Sequence, residues 1–428
     1  MSEIYEAIVW VDPQVAAYIA WEETRQHEWM EFIASENYQS HAVLSAQSSV
    51  FANKYSEWFP WRRYYGGQER TDNLEQLAID RAKALFRSDH ANVQALSGAA
   101  ANICVYAALL KPGDTVLWMD LTHGGHLTHG SPVTYMSQVF NFVRYGMKNI
   151  ETGEIDYDAL RKTAQEHRPQ IILAWFSAYP RELDYAKFAE IAHEVGAVAF
   201  ADMSHIGGLI AAGVLKNPLD YGFEVMMTTT HKSLRGPRGA LILSKGTVSN
   251  PLKKPEDTVE NIPTRIDRAV FPWVQGGPHM NTIAGIAVAL HEAAQPSFQT
   301  YAEQVLRNAQ AMADEFLRRG YKLVTGGTDN HLIVVDFSGT GLDGKMAEDI
   351  LEKIGISTSK STIPNDPNPP FRPSGLRLWT PAMTTRGLKE ADIRQVVAWM
   401  DEALKSGEDQ AVLQRVREQV KEMALKRI

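Results

Sequence analysis

Lys232 stands in the run MMTTTHKSLRGPRGALIL, residues 226–243, behind three threonines and a histidine and just before an arginine-bearing Gly-Pro turn. An isolated lysine is usually a solvated surface charge. At the end of an apolar segment and near other cations, its ammonium can be desolvated and its pKa lowered, the condition for forming a Schiff base with an aldehyde. Asp202 and His205 close a second apolar run, AVAFADMSH. They read as a helix cap with a polar neighbour, or as a metal pair for which no third ligand is evident. Joined to Lys232, they read instead as a site in which Asp202 keeps a pyridinium nitrogen protonated while the lysine holds the ring's aldehyde carbon.

Three further stretches bear on that chemistry. LSGAAAN, residues 96–102, offers a Ser-Gly turn opening a helix, where Ser97 and main-chain N–H groups suit a phosphate. THGGHLTHG places His123, His126 and His129 within seven residues. That spacing fits a zinc site and equally a His126 ring stacked on an aromatic cofactor. Arg377, in SGLRLWTP, is either a surface charge or a clamp for a substrate carboxylate.

The elements that must carry these residues follow from periodicity. Short apolar runs, ANVQAL, DTVLWMD, PQIILAWFSAYP, AVAFADMSH and EVMMTTTHK, read as strands, with helical stretches such as DYAKFAEIAHEV between several of them. That pattern predicts an α/β domain around a mostly parallel sheet, and Ser97, Ser177, Asp202, His205 and Lys232 all fall where the runs end. Ligands bind at the carboxyl ends of such strands. Asp12 followed by Pro13 opens a helical arm over residues 1–30, a large domain covers 31–290, and a smaller α+β domain covers 291–428. PNDPNPPFRPSG reads as a rigid loop ahead of the strand-like GLRLWTPA.

Composition narrows the partners. Of 428 residues 44% are hydrophobic and 22% charged, and the net charge of −8 comes from intermixed signs with no basic block, which excludes nucleic acid and anionic membranes as main partners. A single cysteine, Cys104, precludes an intrachain disulfide and suits a reducing compartment. The opening MSEIYEAIVWVDPQ has neither a basic start nor an apolar leader core, and no apolar run approaches the roughly 20 residues of a membrane helix. The expected setting is cytoplasmic, the expected ligand a small molecule, and no metal is expected.

Ten stretches taken together resemble the serine hydroxymethyltransferase family: ASENYQSHAVLSAQSSVFANKYSE, RRYYGGQERTDNLEQLAIDRAKALF, HANVQ, LKPGDTVLWMDLTHGGHLTHGSPV, SAYPRELDYAKFAEIAHEVGA, DMSHIGGLIAAG, TTTHKSLRGPRGALIL, FPWVQGGP, VTGGTDNHLIVVDF and PAMTTRGLKE. They occur in order from about residue 30 to 400. The resemblance implies the aspartate-aminotransferase-like fold with a mostly parallel seven-stranded sheet, pyridoxal phosphate as cofactor, tetrahydrofolate as one-carbon acceptor, and a homodimer with shared sites. Lys232 would carry the cofactor, Asp202 would meet its ring nitrogen, and His126 would stack on the ring. Ser97, Gly98 and Ala99 would hold the phosphate, joined by Gly276 and Gly277 and by Tyr55 from the other subunit. Ser177 and His205 would touch the ring hydroxyl, and Thr229 would lie beside the lysine. Arg377 and Ser35 would bind the amino-acid carboxylate, Glu57 would be the acid/base group, and Tyr65 and Arg238 would support it. Tyr64, Leu121, Leu127 and Ser361 would line the folate cleft. The implied reaction is Cα–Cβ cleavage or formation in serine-like β-hydroxy-α-amino acids such as serine or α-methylserine, with a folate-independent aldolase or transaldolase on a substituted or threonine-like substrate as the alternative.

The chain departs from the family pattern at particular positions. Trp61, Trp273 and Trp379 stand where small residues are usual, Ser359 and Ser361 where asparagines are usual, and Ala100 where glutamine is usual. The cofactor set is untouched, so the expected consequence falls on the substrate pocket and on weaker dependence on folate.

Overall fold

The computed structural model describes residues 3–125, 128–175, 177–249, 253–407 and 409–427, with only the backbone of residues 3–5 and 121. Its centre is a seven-stranded sheet of β1 (His90–Ala95), β2 (Thr115–Met119), β3 (Asn141–Tyr145), β4 (Ile171–Trp175), β5 (Val198–Asp202), β6 (Val225–Thr229) and β7 (Ala240–Ser244), in the order β1-β7-β6-β5-β4-β2-β3. Neighbours from β3 to β6 pair in parallel, and β7 runs antiparallel to both β1 and β6. Strands β4, β6 and β7 are buried along their whole length, as predominantly apolar strands covered on both faces are. One apolar cluster joins the sheet to helices Glu69–Phe86, Tyr185–Val195 and Met280–Ala293, and a second lies on the other face around helix Gly98–Leu109. The fold is the aspartate-aminotransferase-like α/β class.

The five apolar runs form β1, β2, β4, β5 and β6. Two strands escaped the sequence pattern. β3 is an edge strand, NFVRY, exposed or half-buried until its last residue, and carries no continuous apolar run. β7 begins one residue after the Gly-Pro-Arg-Gly turn, so its apolar residues read as the tail of the lysine motif.

A four-stranded antiparallel sheet forms a second layer from β8 (Lys322–Leu323), β9 (Leu332–Asp336), β10 (Ser359–Ser361) and β11 (Gly375–Trp379), in the order β8-β9-β11-β10. Its own core includes Ile333, Val335, Leu376, Leu378 and residues of helices Gly344–Lys353 and Glu390–Lys405. Met30 and Phe32 belong to this core too, because Met30 and Glu31 pair in parallel with Ile356 and Ser357. The proline-rich loop is tied internally by Asp366, whose carboxylate accepts hydrogen bonds from the N–H groups of Ile363, Asn368 and Ser374 and from Ser374 Oγ. At the N-terminal arm, Asp12 caps helix Pro13–Glu28 by accepting from Gln14 N and Val15 N at 3.2 and 3.1 Å.

The turn at residues 57–67 has an unusual backbone. Trp58 and Trp61 adopt φ values of +78° and +66°, the left-handed region that glycine occupies without cost. Trp58 offsets this by packing on Tyr64 and Phe271, with ring centroids 5.3 and 5.8 Å away. Trp61 is 62% exposed and makes no such ring contact among the described residues. Left-handed backbone costs a residue with a Cβ about 1–2 kcal/mol, and glycine returns roughly half of that as unfolded-chain entropy. Trp61→Gly is therefore expected to leave the denaturation midpoint unchanged or raised, with up to about 1 kcal/mol of added stability. A clear loss of stability in denaturant titration would show that the ring contributes packing that outweighs its backbone.

Candidate active site

The carboxyl ends of β1, β5 and β6 converge with β11. Asp202, the last residue of β5, has no exposed surface. Its Oδ1 accepts from Ser204 N at 3.1 Å and Ser204 Oγ at 2.6 Å, and its Oδ2 accepts from Asn102 Nδ2 at 2.8 Å and meets His129 Nε2 at 3.0 Å. His129 Nδ1 in turn pairs with the Tyr106 hydroxyl at 2.5 Å. Burial pushes the Asp202 carboxyl up, but the His129, Ser204 and Asn102 contacts outweigh it and hold the group below its ordinary value of 3.8. A buried anion with Tyr106 and His129 behind it is equipped to hold a protonated ring nitrogen.

Lys232 lies three residues beyond β6 and is buried. Burial moves its ammonium from 10.5 down to about 8, against the pull of Asp202 and reinforced by Arg377 and Arg238. The turn around it is closed by a main-chain bond from Gly236 N to Thr230 O at 2.6 Å and by the Thr230 hydroxyl, which donates to Pro237 O at 2.5 Å. Thr229 Oγ1 donates to Ser204 O at 3.1 Å, so the threonine beside the lysine ties β6 to the turn after β5. Burial and the neighbouring charges of Arg238 and Lys232 hold His231 neutral, its imidazolium pushed down to about 3.

Ser97 caps helix Gly98–Leu109, its Oγ accepting from Ala100 N at 3.2 Å, and Ala99 is exposed in the first turn. Gly98 is required there: a Cβ would stand 2.8 Å from Thr229 Cγ2, too close to be accommodated in place. The helix start is thereby pressed against the strand that leads to Lys232.

Arg377 projects from the middle of β11. Its Nη1 donates to Ser177 O at 2.9 Å and Ser177 Oγ at 3.3 Å, which joins the second layer to the loop after β4. Burial lowers its guanidinium to about 10. Ser359, opposite it on β10, meets Arg377 Nε at 3.5 Å, and Ser361 faces Gly375 with its Oγ turned to Thr362 O. Ser35 follows Ala34, which packs in the cluster with Trp379, and Trp379 N donates to Phe32 O at 3.2 Å. The N-terminal segment is thereby held against the end of the arginine strand. His205 is buried, with its ring 6.1 Å from that of Trp379.

Tyr55, Glu57 and Tyr65 form a separate group. Tyr65 and Tyr55 hydroxyls donate to the two Glu57 oxygens at 3.0 and 3.4 Å, and both rings are largely exposed. Their contacts do not reach Lys232, Asp202 or Arg377 of the same chain. Gly277 lies under the Tyr55 ring, where a Cβ would come within 3.1 Å, and the Cβ position of Gly276 is open. Tyr64 stacks edge-on with Trp58 beside a cavity of about 410 Å³ that Trp273 also lines. His126, Leu127 and the Leu121 side chain lie outside the described residues. Among the described residues no three of His, Cys, Asp and Glu are grouped as metal ligands, and His129, one of the histidines whose spacing fits zinc, is instead bonded to Asp202.

Sequence reasoning passed over Asn102, Tyr106 and His331. Asn102 and Tyr106 sit in a helix interior, where their types carry no signal until Asp202 is placed beside them. His331 has no exposed surface, neither ring nitrogen has a hydrogen-bond partner, and its ring lies 5.2 Å from Trp379 and 5.9 Å from His205. Burial, Lys232 and Arg377 push its imidazolium down to about 3. The three flagged tryptophans do not share one cleft. Trp379 is fully buried by His205 and His331, whereas Trp61 and Trp273 are exposed.

The residues fit pyridoxal phosphate. Asp202 offers a buried anion, Lys232 an amine with a lowered pKa, and the Ser97–Gly98 helix start a set of main-chain donors.

The lysine shift fixes a stability signature. Because the folded-state pKa is depressed, the cost of the buried ammonium is fully present below pH 8 and fades as pH rises from about 8 to the ordinary 10.5. Lys232→Met should therefore stabilise the cofactor-free protein at pH 7 by on the order of 3 kcal/mol. The advantage over wild type should shrink above pH 8. A pH-independent difference in chemical denaturation would contradict the assigned burial cost.

The same arrangement is expected of pyridoxal-phosphate transferases, and the comparison with known families agrees. The sequence model described as serine hydroxymethyltransferase matches residues 8–400. Members of that family use pyridoxal phosphate with folate as co-substrate, act on small amino acids and are typically oligomeric. No helix among the described residues is long and apolar enough to cross a membrane. On its sequence, its seven-stranded sheet and the Asp202–Lys232 site, the chain belongs to the serine hydroxymethyltransferase family.

Proposed function

We propose that the chain is a pyridoxal-phosphate-dependent hydroxymethyltransferase or aldolase that cleaves and forms the Cα–Cβ bond of serine-like β-hydroxy-α-amino acids, serine or α-methylserine, with tetrahydrofolate as the one-carbon acceptor. The observation that carries this reading is the trio of buried Asp202, buried Lys232 and half-buried Arg377: an anion, a deprotonatable amine and a guanidinium in reach of one small ligand. Pyridoxal phosphate, when bound, supplies the electron sink for the pair left at Cα. The residues supply the rest. Arg377 and Ser35 would bind the amino-acid carboxylate and so orient the substituents on Cα. Lys232 leaves as a neutral amine and is available to return or remove a proton at Cα. Glu57, held by Tyr65 and Tyr55, takes the β-hydroxyl proton as the bond breaks. Ser177, already against Arg377, and His205 would hold the ring hydroxyl, and His126 is assigned the ring face, all three on the family pattern.

A folate-independent aldolase on a substituted or threonine-like substrate is the second reading. It is favoured by Ser361, whose single hydroxyl donates to Thr362 O and offers less to a pterin edge than an asparagine amide would, and by the bulk of Trp379 beside His205. One experiment separates the readings. Aldehyde release from serine, α-methylserine and threonine is followed over a tetrahydrofolate titration, with borohydride reduction used to locate the pyridoxyl group. The expected result is a modification on Lys232 and release from serine or α-methylserine that folate stimulates only weakly. Label on another lysine overturns the cofactor assignment, and a large, saturable folate stimulation overturns the weakened acceptor site.

The same proposal makes the unit a homodimer with shared sites. Tyr55 and Tyr65 are exposed and both donate to the half-buried Glu57, which suits a group presented to the partner's Lys232. Mixing Lys232→Ala chains with Tyr55→Phe chains should restore part of the activity, because one heterodimer site receives both intact residues. No recovery despite verified subunit exchange would place each site within one chain.

A further inference from the structure

Asn37 carries no chemistry of its own, yet its carboxamide is the point where three parts of the molecule meet the catalytic lysine. Its Nδ2 donates to the main-chain carbonyl of Lys232 at 3.0 Å and to the Tyr301 hydroxyl at 3.0 Å. Its Oδ1 accepts from Thr385 Oγ1 at 2.8 Å and from Tyr38 N at 2.9 Å. Both donors and both acceptor sites of the amide are filled. The partners also fix its orientation, since the Lys232 carbonyl can only accept and the Tyr38 N–H can only donate.

Each partner reaches a different element. Tyr301 is buried on helix Pro296–Arg318, and Arg235, three residues past the lysine, lies with its guanidinium 4.3 Å from the Tyr301 ring. Arg235 holds that position on left-handed backbone, φ +59°, with its N–H bonded to Lys232 O at 3.1 Å. The lysine carbonyl is therefore gripped from two sides, by Asn37 and by the turn that Arg235 anchors. Thr385 ends helix Pro381–Thr385, which follows directly from β11 and Arg377. Two residues before Asn37 stands Ser35, assigned to the substrate carboxylate.

We propose that Asn37 is a positioning residue for Lys232, and that through Thr385 it makes the placement of the lysine depend on the layer that carries Arg377. The inference rests on the reading of Lys232 as the cofactor lysine only for its kinetic consequence. The positioning claim concerns the protein alone.

The test uses Asn37→Ala, Asn37→Asp and Thr385→Val. Aspartate keeps both acceptances and loses both donations, so it should behave as a loss at Lys232 even though it is nearly isosteric. Valine removes only the Thr385 hydroxyl. Amide hydrogen exchange of the cofactor-free proteins should speed up at residues 233–236 in Asn37→Ala and Asn37→Asp. In the loaded enzyme the pH midpoint of the lysine-linked visible absorbance should move in both, and kcat should fall roughly 2- to 10-fold, the span of one or two hydrogen bonds, with little change in KM. Thr385→Val should shift the same readouts less. The Asn37→Ala/Thr385→Val double variant should be no worse than Asn37→Ala, because Thr385 acts through Asn37. Should Asn37→Ala fail to fold, Thr385→Val and Asn37→Asp carry the same comparison. Unchanged exchange and an unchanged midpoint in the asparagine variants overturn the positioning role, and strictly additive effects overturn the link to Thr385. If the wild type shows no lysine-linked absorbance while exchange still rises in the variants, the cofactor reading fails and the positioning role stands.

Discussion

A carboxylate with no exposed surface governs how this molecule is put together. An uncompensated buried charge costs several kcal/mol, and it is tolerated only when its oxygens are filled by hydrogen bonds. Asp202 meets that demand with partners from three places: Ser204 in the turn after β5, Asn102 in helix Gly98–Leu109, and His129 in the segment after β2. Docking Asn102 onto Asp202 fixes how that helix lies across the sheet, and with it the position of Ser97 and the turn that opens the helix. Docking His129 holds its own stretch of chain, from Thr128 onward, against the carboxylate. The Ser204 bonds shape the turn that delivers His205. The anion thus places much of the site before any ligand enters.

Against Asp202 stand Lys232, Arg238 and Arg377, with His231 and His331 held neutral by burial and by those same cations. The site therefore has surplus positive charge in a poorly solvated volume, where fields are strong. Two anionic groups of a ligand, a phosphate and a carboxylate, would restore balance. This accounts for a lysine and an arginine whose positive charges are both disfavoured by burial in the same cleft: each is costly alone and would be stabilised by a bound anion.

The parts of the site that could be read in the sequence are those whose residue types interrupt an apolar run. Lys232, Asp202 and Ser97 stand at strand ends, so periodicity alone marks them. Arg377 was harder, because a guanidinium in the middle of a short antiparallel strand looks like an outward-facing charge, and only the resemblance gave it a role. Asn102 and Tyr106 were invisible, since a polar residue inside a helix signals nothing until its partner is located. His129 was visible but unassigned: its spacing suits zinc or a ring-stacking neighbour, and only the structure shows it bound to Asp202. Trp58 and Trp61 mark another limit. Tryptophan in a sequence suggests core, and nothing in hydropathy reveals that the chain turns through left-handed backbone there.

The relation between Lys232 and Arg377 is set by neither sheet alone. Lys232 follows β6 of the large sheet and Arg377 belongs to β11 of the small one, so the distance between amine and guanidinium depends on how the layers are held together. The layers are tied directly by the Arg377 bonds to Ser177, by Arg181 Nη1 to Asp329 Oδ1 at 2.8 Å and by Asn330 Nδ2 to Tyr179 O at 3.2 Å. Another tie runs along the chain from residue 30 to 40. It starts as a strand paired to Ile356 and Ser357, packs Ala34 against Trp379, and bonds Ser40 Oγ to Glu292 on helix Met280–Ala293. This segment is anchored in both cores and carries Ser35 between its anchors. A side-chain change anywhere along it alters how Lys232 and Arg377 stand to each other. The spacing of the two cations accordingly rests on the strut between the layers as well as on the strands that carry them.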